Sequence, residues 1–390
     1  MIVIKNANLW TMEEINNELG SIAIEGKKIV EVSKEDLSLK YSEASVIDAK
    51  NLFVMPGIVD PHCHIGMMEQ VYGWAGEDTN EITNPITPEL KGIESIKPHD
   101  ESFKEALESG VTTVCTGPGS ANIIGGTFCA LKTKGKTIFD MVIKEELAMK
   151  MALGENPKRC YKDKGPSTRM ANAAILRNAL KEAKIYKETW DKYYKDIAEG
   201  KDVSKPTYNQ KRESLKRVFE GLKVKIHAHQ ADDIVTAVKI SEEFNLDYTI
   251  EHATEAYLIP EFLKEHKVKC ILGPTLGEKS KYELKAKSFV SAKVLHEFNI
   301  PFAFMTDHPV ITLDTTLAQT GLFVKAGLDY LEALKANTIN AAKIVGLDHI
   351  VGSIKEGKDA DIVIYSKDPL SYDSHVLLVI LNGKVEVNKL

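Results

Sequence analysis

Cysteine is scarce in this sequence: there are five in 390 residues, at positions 63, 115, 129, 160 and 270, with no C-x-x-C pair. An odd, scattered set excludes a disulfide framework and a thiolate zinc cage, and it fits a reducing compartment. Long apolar runs are also missing; none approaches the ~20 residues that a membrane span needs. The opening residues, Met1-Ile2-Val3-Ile4-Lys5-Asn6, lack a basic segment followed by a long apolar one, so no secretory leader is read there. Charge of one sign is not concentrated: the formal net charge is -6, and no basic stripe is present to attract nucleic acid. The expectation is a cytoplasmic protein with a small-molecule substrate and neither nucleic-acid nor membrane partners; a homo-oligomer is left open.

What is present is ordinary for a globular chain, with 43% hydrophobic and 27% charged residues. A length of 390 residues suits one large domain and a smaller one. Residues 1–54 read as short strands and turns, with 21–32 suggesting two strands around a Gly-containing turn. Residues 350–390 have the same texture, including a hairpin candidate with an Asn382-Gly383 turn. Two ends of like texture around a different middle predict one small β-sandwich domain built from both. The middle, 55–349, alternates strand candidates (58–60, 111–115, 224–227, 248–252, 269–272, 302–307) with helix candidates (100–109, 232–244, 256–266). That alternation predicts βα units, a parallel sheet and an α/β fold of TIM (β/α)8 barrel type. A Lys- and Glu-rich stretch, about 156–222, reads as a helical insertion in the barrel or equally as a mobile lid.

Chemistry is concentrated at the ends of the strand candidates. In Pro56-Gly57-Ile58-Val59-Asp60-Pro61-His62-Cys63-His64, the i, i+2 rule of a strand turns His62 and His64 to one side, as two imidazoles able to grip one ion. A second pair, His227 and His229, repeats the arrangement. At this histidine frequency about 0.3 His-x-His pairs are expected by chance, and there are two. His252 and Asp307 each end a further apolar strand candidate, which is where barrel active sites are assembled. Alone, any one of these is as easily a capping residue; four such elements at four strand ends are hard to explain that way.

The order His-x-His, His, His, Asp, with the Pro56–His64 phrase and the late phrase Gly357-Lys358-Asp359-Ala360-Asp361-Ile362-Val363, resembles the amidohydrolase superfamily, and most closely its imidazolonepropionase-like branch. The resemblance covers nearly the whole chain. It implies a metal-dependent hydrolase with His62 and His64 as first-strand ligands, His252 as the sixth-strand ligand and Asp307 as the eighth-strand carboxylate. The fifth-strand ligand is His227 or His229. The family's usual phrase starts with the ligand, which favours His227 and leaves His229 beside the metal or facing the substrate. Many members carry a carboxylated lysine on the fourth strand, and no clear match stands out here. Glu155, ending a strand-like run, is read as the ligand instead, with Lys144 and Lys150 as alternatives. Glu155 could equally salt-bridge Lys158 or Arg159.

Imidazole and carboxylate donors suit zinc, with Fe, Mn or Co tolerated, as one or two divalent ions. The implied reaction is hydrolysis of a C–N bond in an amide or cyclic amide by metal-activated water. Asp307 is expected as general base, with His252 or His229 donating to the oxyanion. A dipeptidase or deaminase on the same fold, or a non-catalytic metal-binding protein, are the competing readings. Two further stretches are noted. The glycine-rich loop 116–127 could let backbone N–H groups approach a substrate, although a turn without a ligand looks much the same. Arg169 could clamp a carboxylate or phosphate, although most arginines are solvated surface residues.

Overall fold

The computed structural model describes residues 1–69, 73–163 and 165–390. From the N-terminus come β1 (Ile2–Trp10), β2 (Asn16–Glu25), β3 (Lys28–Ser33), β4 (Ser45–Asp48) and β5 (Phe53–Pro56). The middle supplies β6 (Ile58–Cys63), β7 (Val111–Thr116), β8 (Ile124–Lys132), β9 (Val142–Ala152), β10 (Lys223–Ala228), β11 (Tyr248–His252), β12 (Cys270–Leu272) and β13 (Phe302–Phe304). The C-terminal strands are β14 (Ile362–Tyr365), β15 (Val376–Leu381) and β16 (Lys384–Asn388).

The two ends share one sheet, ordered β16-β15-β14-β5-β1-β2-β3 with β4 beside β1. The join is the antiparallel pairing of β14 with β5, Ile362 opposite Pro56 and Tyr365 opposite Phe53. The other eight strands follow one another in chain order from β6 to β13 and curl into a nearly closed barrel. The expected all-parallel sheet needs one correction: β8 runs antiparallel to both β7 and β9. The link 117–123 is shorter than the dozen or more residues a parallel crossover takes, so the chain turns straight back.

Closure of the barrel falls at the site. The Asp307 N–H donates to the His62 carbonyl (3.2 Å) and the His64 N–H to the His308 carbonyl (2.8 Å). Asp60 adds a side-chain stitch: one oxygen accepts the His62 N–H (2.8 Å), the other the Thr306 N–H (2.9 Å) and hydroxyl (2.6 Å). Burial pushes the Asp60 carboxyl up to about 6 in spite of these bonds.

Between β9 and β10 lie helices Glu155–Cys160, Arg169–Ala198 and Gln210–Lys216. The long one starts where the Thr168 hydroxyl accepts from Ala171 N–H. Its buried residues Leu176, Leu180 and Ala183 recur at helical spacing and join the core that also holds Val224, Ile226, Ile234 and Val238. Strand alternation sorts β10 in the same way. Val224, Ile226 and Ala228 enter that core, while Lys225 and His227 turn the other way, toward Glu251 and Glu283.

Candidate metal centre

His62 is fully buried near the end of β6, and His64 follows just beyond the strand. His62 Nδ1 lies 2.5 Å from Glu251 Oε2 on β11, an oxygen that Lys225 Nζ also meets at 2.9 Å. A carboxylate accepts, so Nδ1 carries the proton, and the Nε2 lone pair accepts from Lys150 Nζ at 3.2 Å and lies 3.5 Å from Asp307 Oδ1. His64 donates from Nδ1 to the Gly117 carbonyl (2.7 Å) and places Nε2 3.1 Å from Asp307 Oδ1. His252 donates from Nδ1 to the Gly273 carbonyl (3.0 Å). Each ring is thus held in the tautomer that presents Nε2 to the interior, the arrangement by which proteins orient metal-binding histidines.

Two backbone positions at the site carry strain. His252 (φ 69°) and Asp307 (φ 54°) both sit in the left-handed region, which costs a non-glycine residue ~1–3 kcal/mol. Main-chain hydrogen bonds on either side hold them there: Ala253 N–H to the Ala228 carbonyl, and Asp307 N–H to that of His62.

One ligand atom from each of His227, His229 and His252 lies within 4.8 Å of the others, and the same is true of His62, His64 and Asp307. Among the described residues, both ring nitrogens of His227 and Nε2 of His229 are buried without a hydrogen-bond partner. Burial, reinforced by neighbouring cationic groups, holds His62, His227, His229 and His252 well below the usual histidine range, so these rings are neutral near pH 7. Neutral imidazoles with uncommitted buried nitrogens, facing a carboxylate, fit a divalent cation. Burial by itself would raise the Asp307 carboxyl, yet neighbouring positive charge, the buried Lys150 ammonium included, keeps it below the ordinary aspartate range.

The fourth barrel strand brings one of the two candidate lysines to the centre. Lys150, in register with Lys225 across β9 and β10, is completely buried at the centre. Burial pulls its ammonium down to about 8, with Glu251 and Asp307 opposing the shift. Phe128 on β8 lies close by, its ring 5.4 Å from Lys150 Nζ, 5.6 Å from Lys225 Nζ and 5.0 Å from the His62 ring. Lys144 is exposed further back on β9. Glu155 is absent from both clusters: it opens a helix and contributes its backbone N–H to Glu283 Oε2 (3.0 Å). The acid facing His227 and His229 is Glu283, with Oε1 3.6 and 3.5 Å from their Nε2 atoms. Arg169 is half-exposed and ion-paired to Asp233 (3.6 Å). The glycine-rich loop acts through the Gly117 carbonyl on His64, rather than through an N–H.

Sequence reasoning missed Lys225, Glu251 and Glu283. The first two had a signal, since an ionisable residue inside an apolar strand candidate must find a buried partner. Glu283 lies in the loop after β12 among lysines and had none.

The amidohydrolase family profile matches residues 53–385. The crystal structure of an amidohydrolase from Thermotoga maritima MSB8 superimposes on 100% of this chain and 100% of its own, with a TM-score of 0.93 and 35% identity. Amidohydrolase tasK of Hapsidospora irregularis is 27% identical over 98% of this chain, which spans 43% of that protein's length. The imidazolonepropionase of Geobacillus thermodenitrificans is 24% identical, over 95% of this chain and 91% of its own. The barrel, the strand-end histidines and these matches lead to one conclusion: the chain belongs to the amidohydrolase family of C–N hydrolases.

Proposed function

We propose that this protein hydrolyses a C–N bond in a small amide or cyclic amide, using a divalent centre held by His62, His64, His227, His252 and Asp307, with His229 beside it. The observation that carries the reading is the Asp307 carboxylate 3.1 Å from His64 Nε2 and 3.5 Å from His62 Nε2, at the point where the barrel closes. Zinc is the favoured ion on donor chemistry. When bound, such an ion supplies a water that ionises near neutral pH and polarises the scissile carbonyl. Asp307 accepts the proton released as that water attacks and returns it to the departing nitrogen. His252 and His229, neutral and on one wall, orient the carbonyl oxygen.

Lys150 takes the bridging role in this reading, and Glu155 does not. A buried primary amine depressed to about 8 is un-ionised far more often than a free lysine and can add CO₂, forming a carbamate and releasing one proton. The two carbamate oxygens would serve the two ligand clusters. Metal analysis of the purified protein, with turnover measured on amides, lactams, dipeptides and aminopurines, tests the reading. Bound metal and hydrolysis of an amide or lactam support it; bound metal without turnover on any of them favours the non-catalytic alternative.

A further inference from the structure

Glu283 lies outside the donor set just described, yet it is as buried as His227, with 1% of its surface exposed. Three features aim its carboxylate. The Glu155 N–H donates to Oε2 at 3.0 Å. Gly154 (φ 84°) leaves room for it, since a Cβ there would lie 2.8 Å from that oxygen. Lys281 Nζ stands 2.6 Å from Oε1 as an ion pair. The remaining side of Oε1 looks onto His227 Nε2 at 3.6 Å and His229 Nε2 at 3.5 Å. His229 Nδ1 is committed to the Thr254 hydroxyl at 2.7 Å. Where that nitrogen is the donor, Nε2 presents a lone pair to a carboxylate oxygen. Two acceptors at this distance repel unless a cation lies between them. Ligand atoms ~2.0–2.1 Å from one tetrahedral ion stand ~3.4 Å from each other, close to the spacing seen here.

We propose that Glu283, carried by the loop after β12, is a ligand of the second metal position and completes the set formed by His227, His229 and His252. This rests on the two-cluster reading of the centre, and in it His229 and His252 act as ligands instead of orienting the substrate carbonyl. A full donor set is typical of a structural position and an incomplete one of a catalytic position. The division of labour follows: the His62–His64–Asp307 position keeps open coordination for water and substrate, while the second position is closed from the loop side. Lys281 holds the carboxylate in place when the ion is absent.

The test is a titration of chelator-stripped protein with Zn²⁺ against a chromophoric chelator, together with the visible spectrum of the Co²⁺ form. Wild type, Glu283→Gln and Lys281→Met are compared. Gln keeps the shape and the bond from Glu155, so the fold is preserved. Wild type is expected to bind two ions. Glu283→Gln should weaken one of them 10–100-fold, leave the other within about threefold, and change the Co²⁺ bands. Lys281→Met should bind both at least as tightly as wild type. Should Glu283→Gln not fold, Glu283→Asp keeps the charge for Lys281 but withdraws the oxygen, and the same selective weakening is expected. Unchanged affinities and Co²⁺ bands in the Glu283 variant overturn the inference and leave the proposed function standing. Equal weakening in the Glu283 and Lys281 variants also overturns it, because the pair is then only structural. A wild type that binds one ion overturns the inference alone; one that binds none overturns the proposed function with it.

Discussion

Two buried ionic clusters are finished in opposite ways. In the late phrase, Asp359 and Asp361 meet Lys132, which reaches from β8: Asp359 stands 3.2 Å from its ammonium and Asp361 closer still. Asp359 also pairs with Lys28 at 2.9 Å, and Asp361 accepts the Asn382 N–H at 2.9 Å. Each charge there is ion-paired, although Asp359 Oδ1 meets Lys28 without a hydrogen bond, and the result clamps the terminal sheet to the barrel. At the barrel mouth, burial is just as complete, yet His227 and His229 keep nitrogens without partners. A buried polar group left unmatched costs ~1–3 kcal/mol. An open cluster beside a neutralised one is what the proposed metal centre requires. Neutralisation, more than burial, separates the two clusters.

The sharpest way to break this contrast is Asp307→Asn. It removes the proton acceptor while keeping size, so turnover at saturating metal should fall ~10²–10⁴-fold with melting temperature near wild type. Turnover within about threefold of the parent, in a metal-loaded variant, would mean that another group moves the proton. Lys132→Met should do the reverse. Two buried carboxylates lose their shared cation, stability drops by about 3–5 kcal/mol in denaturant unfolding, and metal affinity per folded molecule stays unchanged. A neutral outcome for stability would remove the clamp from the comparison.

Glu251→Gln sits between these extremes, because Glu251 fixes the His62 tautomer and neutralises Lys225 without facing substrate. Its expected cost is ~10–100-fold in metal affinity, read by chelator competition. The smallest effect per group is in pH. The four depressed histidines of the metal-free protein have folded pKa values below the unfolded ~6.5, so the unfolded state binds the extra protons and stability is lost as pH falls through ~6.5. Between pH 7.5 and 6.5 each contributes about 0.4 kcal/mol to that loss. The Asp359 carboxyl, held low by Lys132 and Lys28 in spite of its burial, supports the fold down to the unfolded range near ~3.9 and loses that support only below it. Metal-free protein should therefore melt measurably lower at pH 6.5 than at 7.5, and the Lys132→Met deficit should be equal at both. A flat melting temperature across this range contradicts the neutral-histidine account.

Much of the architecture was legible because periodicity is local. The alternation in 1–54 and 350–390 predicted strands at both ends, and the strand-end histidines predicted a barrel mouth. β8 was not among the strand candidates, its first residues being read as part of the glycine-rich loop 116–127, and its reversal depends on the length of a connection rather than on the pattern within a strand. Lys150 was visible as one of two candidate lysines; register with Lys225 is what selects it over the exposed Lys144. Glu155 stands where the sequence suggests a ligand, at the end of an apolar run. The backbone there turns into a helix and offers an N–H, and the carboxylate comes from Glu283, 128 positions further on.

The sequence by itself determined the donor inventory: which residues are imidazoles and carboxylates, their order, and that strands carry them to one end of a barrel. Short-range alternation fixes which way a side chain faces from its own strand, and nothing more is required for that. Only the tertiary structure decided which donors meet. It closed β13 on β6 so that Asp307 reaches His62 and His64, set each ring's tautomer through Glu251, Gly117 and Gly273, and brought a loop carboxylate against His227 and His229. Those choices rest on contacts between residues far apart in the chain, and distance along the chain carries no record of distance in space.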